Sequence, residues 1–393
     1  MGYFDTKEAR ARQAAFEEKF KKSFGDETLV KGIVPYEVIS SGSINLDLGL
    51  GVGGYVKGRI VEIWGPQDSG KTTLGILGAV EAQKAEPKKM TAVINVENKW
   101  DGPYAEALGL NLRQNYLYTP GNAEETADAL KFFLEDPLFS YVLVDSVGAM
   151  MGRVEQEKQA DESVVAVTAR IVTRMVKHAT FFAPVNGAIV VFLNQVRETI
   201  SAYGSSTTTP GGRALKHGST FKIKLGGSSK PAIVATVKGE RIPIGKEVAA
   251  KIERNKCYPP GSTVFFLLKN VATDKYGPMG VDKVQEAFTC GVKLGLIQRT
   301  GNRYTCPITG EIFVGKDPYI EYLRENPKTL AELRERLIKL QAPVEIEEEP
   351  DSDEVEITEA DVTEEDATPV VAEDNPVVVE DNQNEYDDGM VEL

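Results

Sequence analysis

The sequence predicts an α/β protein built on a mostly parallel, twisted sheet flanked by helices, and three stretches predict it. Ile60-Val61-Glu62-Ile63-Trp64, Tyr141-Val142-Leu143-Val144 and Ala188 to Leu193 are short, largely apolar runs of the kind that forms strands buried on both faces. They end at Gly65, at Asp145 and at Asn194-Gln195. Helical patterns lie between them, and that alternation is the signature of a parallel sheet.

The first run leads into Gly65-Pro66-Gln67-Asp68-Ser69-Gly70-Lys71-Thr72-Thr73, and a helical pattern follows to about Gln83. The spacing G-x-x-x-x-G-K-T between a strand and a helix fits a P-loop. Gly65 and Gly70 permit a tight turn whose backbone N–H groups point at phosphate oxygens, and the helix adds its positive end. Lys71 is expected to reach the β- and γ-phosphates, and the Thr72 hydroxyl to hold a magnesium ion. The second run ends in Asp145, the Walker B pattern, in which the carboxylate also serves magnesium. A glycine turn without a ligand is the bland alternative, and the flanking strand and helix argue against it.

Two further strands end in polar side chains at the edge where open α/β sheets bind ligands. Thr91 to Val96 ends in Glu97, which is placed either to orient and deprotonate water or to serve as a loop charge. Ala188 to Leu193 ends in Asn194-Gln195. Val196 to Gly212 is then rich in Ser, Thr and Gly, contains Tyr203, and is flanked by Arg197, Arg213, Lys216 and Lys222. A loop of that length is functional or disordered, and a single aromatic among cations could stack on bases. Gly152 to Ser163 reads as a second polar loop, and a helix from about Val164 to Phe182 carries Arg170, Arg174 and Lys177.

At the start, Lys7 to Phe24 reads as a helix with Phe16, Phe20 and Phe24 on one face, followed by a linking strand at Thr28 to Val34. The stripe packs on its own domain or on a neighbouring subunit. Strands are expected at Phe221 to Leu225, Ala232 to Val237, Val248 to Glu253 and Val264 to Leu268. Beyond them lies a smaller α+β unit. It has a helix at Val281 to Thr289, a hairpin around Gly301 and Gly310, and helices near Pro318 to Asn326 and Thr329 to Leu340. Four parts follow: 1–34 for oligomerisation, 35–270 as the core, 271–343 as the small domain and 344–393 as a disordered acidic tail.

Charge is unevenly placed. The chain has 45 Lys and Arg against 59 Asp and Glu, but 21 of the acidic residues and none of the basic ones lie in 344–393. Residues 1–343 therefore carry 45 cations against 38 anions, a balance of +7. A basic body with an acidic tail suits a nucleic-acid binder that moderates its own affinity, and a merely solubilising tail is the alternative. No apolar run approaches the ~20 residues needed to span a bilayer, so no membrane partner is expected. Cys257, Cys290 and Cys306 form no disulfide framework, and the charged start lacks a signal-peptide core, which together point to a reduced cytoplasmic setting. That His178 and His217 are the only histidines argues against a histidine triad or a histidine-rich metal site.

The chain resembles the bacterial-type RecA recombinases, phage-borne members included. Ile39 to Ser43, Gly58 to Ile63, Val144 to Val147, Leu193 to Arg197 and Thr207 to Lys216 carry the resemblance, which extends to about Leu340. It implies a RecA-type ATPase core with ATP and magnesium at Lys71, Thr72 and Asp145, and Glu97 activating water. Gln195 matches the sensor of the γ-phosphate, and Asp101 and Tyr104 match adenine-contacting positions. Arg254 and Lys256 match a cationic pair that reaches the neighbour's ATP. The loops near Gly152 to Ser163 and Val196 to Gly212 match the DNA-binding loops, with Arg170, Tyr203 and Lys216 on functional positions. Lys177, Arg197 and Arg213 complete the expected DNA-binding set.

The resemblance implies an ATP-dependent recombinase that polymerises on single-stranded DNA, pairs it with double-stranded DNA and hydrolyses ATP. It extends the partners to a repressor and a single-strand-binding protein. A ring-forming helicase or recombination mediator, and an ATP-switched scaffold that activates repressor self-cleavage, are the alternatives. Four features depart from the family pattern. Gln67-Asp68 stand where Glu-Ser is usual, Arg254 replaces Lys, His217 replaces an aromatic, and the second loop is one residue short before Gly204.

Overall fold

The apolar runs become the middle of a ten-stranded sheet in the computed structural model, which describes residues 6–24, 35–152, 162–201, 204–208, 212–227, 233–237, 240–272 and 278–341. The first half of the chain forms helix α1 (Lys7–Phe24), strand β1 (Val38–Ile39), α2 (Ile44–Gly49), β2 (Tyr55–Val56), β3 (Ile60–Gly65), α3 (Lys71–Ala85), β4 (Met90–Asn95), α4 (Gly102–Ala107), β5 (Asn115–Tyr118), α5 (Ala123–Glu135) and β6 (Phe139–Asp145). Then come α6 (Glu162–Asn186), β7 (Ile189–Gln195), β8 (Arg197–Ser201), β9 (Gly204–Thr208), α7 (Gly212–Gly218), β10 (Phe221–Gly227), β11 (Ile233–Val237), β12 (Glu240–Asn255) and β13 (Thr263–Lys269). The last part comprises β14 (Gly280–Val281), α8 (Lys283–Lys293), β15 (Gln298–Thr300), β16 (Arg303–Thr305), β17 (Ile312–Val314), α9 (Lys316–Glu325) and α10 (Pro327–Gln341).

The sheet runs β14-β13-β12-β10-β3-β7-β6-β4-β5, with β11 paired to β12. From β10 to β5 every pairing is parallel, and from β10 to β14 every pairing is antiparallel. β3 and β7 are buried along nearly their whole length, which explains why they read as unbroken apolar runs. One face is covered by α3 and the other by α5 and α6. Gly75 and Gly78 let α3 lie close on β6, since a Cβ there would stand 2.9 Å from Leu143 Cδ1 and 2.5 Å from the Tyr141 hydroxyl. That hydroxyl donates to the Gly75 carbonyl oxygen at 2.9 Å.

Three expectations change. Within Val196 to Gly212, β8 and β9 pair as a hairpin from Arg197 opposite Thr208 to Ser201 opposite Gly204. The Ser and Thr residues that suggested a loop also include β-branched Thr199, Thr207 and Thr208, which suit a ribbon. β12 extends well beyond the expected Val248 to Glu253, because its first half pairs with β11 with little burial and leaves no apolar signature. The helix expected from Val281 starts at Lys283: Gly280 and Val281 pair with β13, and Asp282 caps the helix by accepting from Gln285 N. The linking strand at Thr28 to Val34, most of the loop at Gly152 to Ser163, Tyr203 and the acidic tail lie outside the described residues.

The small unit has its own core of Phe288, Tyr304, Tyr319, Leu323, Leu333 and Leu337, into which α2 inserts Ile44 and Leu48. Polar contacts fasten the same junction. Glu286 on α8 accepts from Ile44 N at 2.6 Å and from Ser43 Oγ at 2.9 Å, and Arg334 on α10 lies 2.9 Å from the buried Asp47. Burial pushes the Glu286 carboxyl up to about 8, against the hydrogen bonds from Ser43 and Ile44.

The folded state therefore holds a proton that the unfolded chain releases near its ordinary 4.5, so stability falls as pH rises through that window. One such proton contributes up to about 1.4 kcal/mol per pH unit. Urea unfolding between pH 5 and 8 should show a shallower loss for Glu286→Gln than for the parent. Parallel slopes would mean that Glu286 is ionised in the fold.

Candidate nucleotide site

Because the central strands are parallel, Gly65, Asp145 and Gln195 all emerge at one edge of the sheet, with Glu97 just beyond the end of β4. Gly65 sits opposite Gln195 in the β3–β7 register. The turn from β3 to α3 has left-handed backbone at Asp68 (φ 56°) and Gly70 (φ 94°). Gly70 caps α3 with no side-chain hydrogen bond, so the first helical N–H groups face outward. A Cβ on Gly65 would stand 2.3 Å from the Leu225 carbonyl oxygen, which fixes glycine at the turn.

Thr72 Oγ1 donates to Asp145 Oδ2 at 2.7 Å, so the hydroxyl and carboxylate expected to serve one metal ion are adjacent. Lys71 Nζ donates to the carbonyl oxygens of Gly65 (3.1 Å) and Pro66 (2.6 Å), folded back along the loop. Burial lowers the Lys71 ammonium, opposed by the charges of Asp145 and Glu97. Burial pushes the Asp145 carboxyl up to about 6, against the Thr72 hydrogen bond. Buried Ser69 Oγ has no hydrogen-bond partner among the described residues. A bare helix start, an orphaned hydroxyl, a lysine and a hydroxyl–carboxylate pair fit a magnesium-bound nucleotide triphosphate.

Glu97 stands across this edge. Its Oε1 accepts from Ser146 Oγ at 2.6 Å and from Gln195 Nε2 at 2.5 Å, and Lys99 Nζ lies 3.4 Å from Oε2. Burial raises this carboxyl, but the hydrogen bonds from Ser146 and Gln195, with Lys99 beside it, hold it below the ordinary range. β4 does not adjoin the P-loop strand, since β7 and β6 lie between; Ser146 and Gln195 bridge the gap. Asp101 caps α4 by accepting from Tyr104 N at 2.9 Å, and the Tyr104 hydroxyl is 2.8 Å from Thr73 Oγ1. Of these two expected positions, Tyr104 therefore meets the first turn of α3, while Asp101 acts locally as the cap of α4.

Arg254 and Lys256 are not brought to the P-loop of their own subunit. Lys222 of β10 pairs with both Arg254 and Glu62, and Lys256 N donates to the Thr220 carbonyl oxygen, which places the pair toward the start of β3. Lys256 Nζ donates to the His217 carbonyl oxygen at 2.8 Å. Arg170, Lys177 and Lys216 are exposed on α6 and α7, while Arg197 and Arg213 belong to β8 and α7. The sequence reading missed Ser146 and Lys246. Lys246 on β12 donates to the Asp68 carbonyl oxygen and lines, with Asn270, a cleft of about 350 Å³ over the P-loop. Ser146 follows Asp145 directly and could have been singled out, whereas no local pattern joins Lys246 to a loop so distant in sequence.

Fold and site define a P-loop nucleotide-binding protein with a doubly wound parallel core. Residues 10–269 match the family model of the RecA N-terminal domain. The chain is 32% identical over 343 residues to Protein RecA of Caulobacter vibrioides, covering 86% of this chain and 92% of that protein. It is 30% identical over 326 residues to Protein RecA of Thermus aquaticus, covering 81% and 91%, and 34% identical over 315 residues to that of Legionella pneumophila, covering 80% and 85%. The chain belongs to the RecA family.

Gly65→Ala should destabilise the protein by about 1–3 kcal/mol, because the added methyl meets backbone that cannot swing away. Urea unfolding measures it, and an unchanged midpoint would mean that the loop relaxes freely.

Proposed function

We propose that this chain is an ATP-dependent DNA recombinase whose subunits polymerise on single-stranded DNA, pair it with a duplex and hydrolyse ATP in the cytoplasm. The observation that carries this reading is the 2.5 Å hydrogen bond from Gln195 to Glu97. Gln195 lies two residues before hairpin β8–β9, at the start of the segment that resembles a DNA-binding loop. A side chain touching both the hydrolytic carboxylate and the root of that segment is what DNA-stimulated hydrolysis requires.

Glu97, kept ionised by its hydrogen bonds, accepts the proton of the attacking water. Lys71 and the α3 N-terminus stabilise the phosphate charge. Magnesium bound by Thr72 and Asp145 would neutralise charge on the phosphate oxygens. Arg254 and Lys256 lie toward the opposite end of β3, so subunits stacked head to tail bring one protomer's cations to its neighbour's nucleotide. Such an interface repeats into a helix unless its rotation closes. Support for self-association comes from β5, an edge strand whose Tyr116 is 50% exposed, and from Phe132 of α5, 72% exposed. The Phe16, Phe20, Phe24 face of α1 is proposed to dock on a neighbour. Exposed Arg170, Lys177 and Lys216, with Arg197, Tyr203 and Arg213, are proposed to contact DNA.

The deciding experiment adds single-stranded DNA to protein and ATP, following phosphate release and imaging the particles. Faster hydrolysis with open helical filaments is expected, and closed rings would favour the helicase reading. Lys71→Ala should abolish turnover and ATP-dependent DNA binding; normal stimulated turnover in it would sink the assignment. Glu97→Gln should lower turnover by about 10²–10⁴-fold with ATP binding and filaments retained. Loss of ATP binding would instead make Glu97 a structural residue.

A further inference from the structure

Glu62 is a fully buried carboxylate on β3, and nucleotide binding gives it no use. A charge buried in a sheet is costly unless it is paired and hydrogen-bonded. Its partners come from the strands on either side. Asn194 Nδ2 of β7 donates to Oε1 at 3.2 Å, and Lys222 Nζ of β10 lies 3.1 Å from Oε2.

These partners bracket one segment of chain. Asn194 precedes Gln195 and hairpin β8–β9, and Lys222 follows α7 at the start of β10. Both roots of the segment proposed to contact DNA are therefore tied to the same carboxylate. The contacts continue outward at each root. Asn194 Oδ1 accepts from Gln195 N at 3.0 Å, and Gln195 reaches Glu97. Lys222 stands opposite Arg254 in the β10–β12 register, with its ammonium 5.0 Å from the centre of the Trp64 ring. Trp64 Nε1 in turn donates to Glu253 Oε2 at 2.9 Å.

We propose that Glu62 is a positioning residue that makes the two roots of this segment move together, coupling DNA contact at the segment to Gln195 and Glu97 on one side and to Arg254 on the other. Displacing the Lys222 root alone would leave a buried charge unpaired, and displacing the Asn194 root alone would strip that charge of a hydrogen bond, so motion at one root is passed to the other. The inference rests on the reading of the protein as a DNA-stimulated ATPase.

The test compares ATP turnover with and without single-stranded DNA in the full chain and in Glu62→Gln/Lys222→Met. The pair of substitutions keeps an acceptor for Asn194 and removes both charges at similar volume, so the variant should fold and melt near the parent temperature. Its KM and kcat without DNA should be unchanged, while the stimulation by DNA falls by about 5- to 150-fold, the span of typical coupling between two sites. Lys222→Arg, which keeps the ion pair, should retain stimulation. Three results would overturn the assignment: normal stimulation in the double variant, equal loss of turnover with and without DNA, or failure of that variant to fold. Absence of stimulation in the parent chain would instead overturn the functional reading, and the coupling with it.

Discussion

The pairing of Gly65 with Gln195 on adjacent parallel strands is the constraint on which the site depends. It sets the P-loop level with the end of β7. A slip of one residue would turn Gln195 away from Glu97 and carry the buried side chains of β7 to the wrong face. Apolar burial enforces the register. Ile63 and Leu193 sit opposite one another in the α3-side core, while Phe192 and Val190 face α5 and α6. Dispersion and desolvation along these strands thus position polar atoms that contribute little to stability themselves.

Polar groups at the sheet edge are consequently held by one another. Glu97 has Ser146, Gln195 and Lys99; Asp145 has Thr72; Tyr104 has Thr73. Two neighbouring carboxylates are driven apart in acidity by their surroundings. Burial raises Asp145 and adds to its tendency to hold a proton, whereas hydrogen bonds keep Glu97 ionised despite burial. That split separates a carboxylate suited to being neutralised by a cation from one suited to accepting a proton.

The same logic operates away from the nucleotide, where α2 joins two cores. Its apolar residues divide, Leu46 to the main core and Ile44 and Leu48 to the small unit. Glu286 and Asp47, buried at this junction, tie the pieces together through Ser43, Ile44 and Arg334. The small unit is thereby anchored by residues from near both ends of the described chain.

The sequence by itself determined the elements that are buried on both faces or closed by local chemistry. The runs at β3, β6 and β7 announced themselves because a central parallel strand must be apolar along its length. The P-loop was legible because its spacing is local, as was Asp145 at the end of its strand. Tertiary structure decided whatever depends on which strands become neighbours. Glu97 had an open role in the chain and acquires one only when β6 and β7 bring Ser146 and Gln195 to it. Lys246 and Glu62 show the same limit: β12 carries Lys246 over the P-loop, and Glu62 reads as a lone charge in an apolar strand until Asn194 and Lys222 flank it. Hairpin β8–β9 escaped because its Ser, Thr and Gly residues leave no hydrophobic pattern, and the first half of β12 because it is little buried; only pairing defines them.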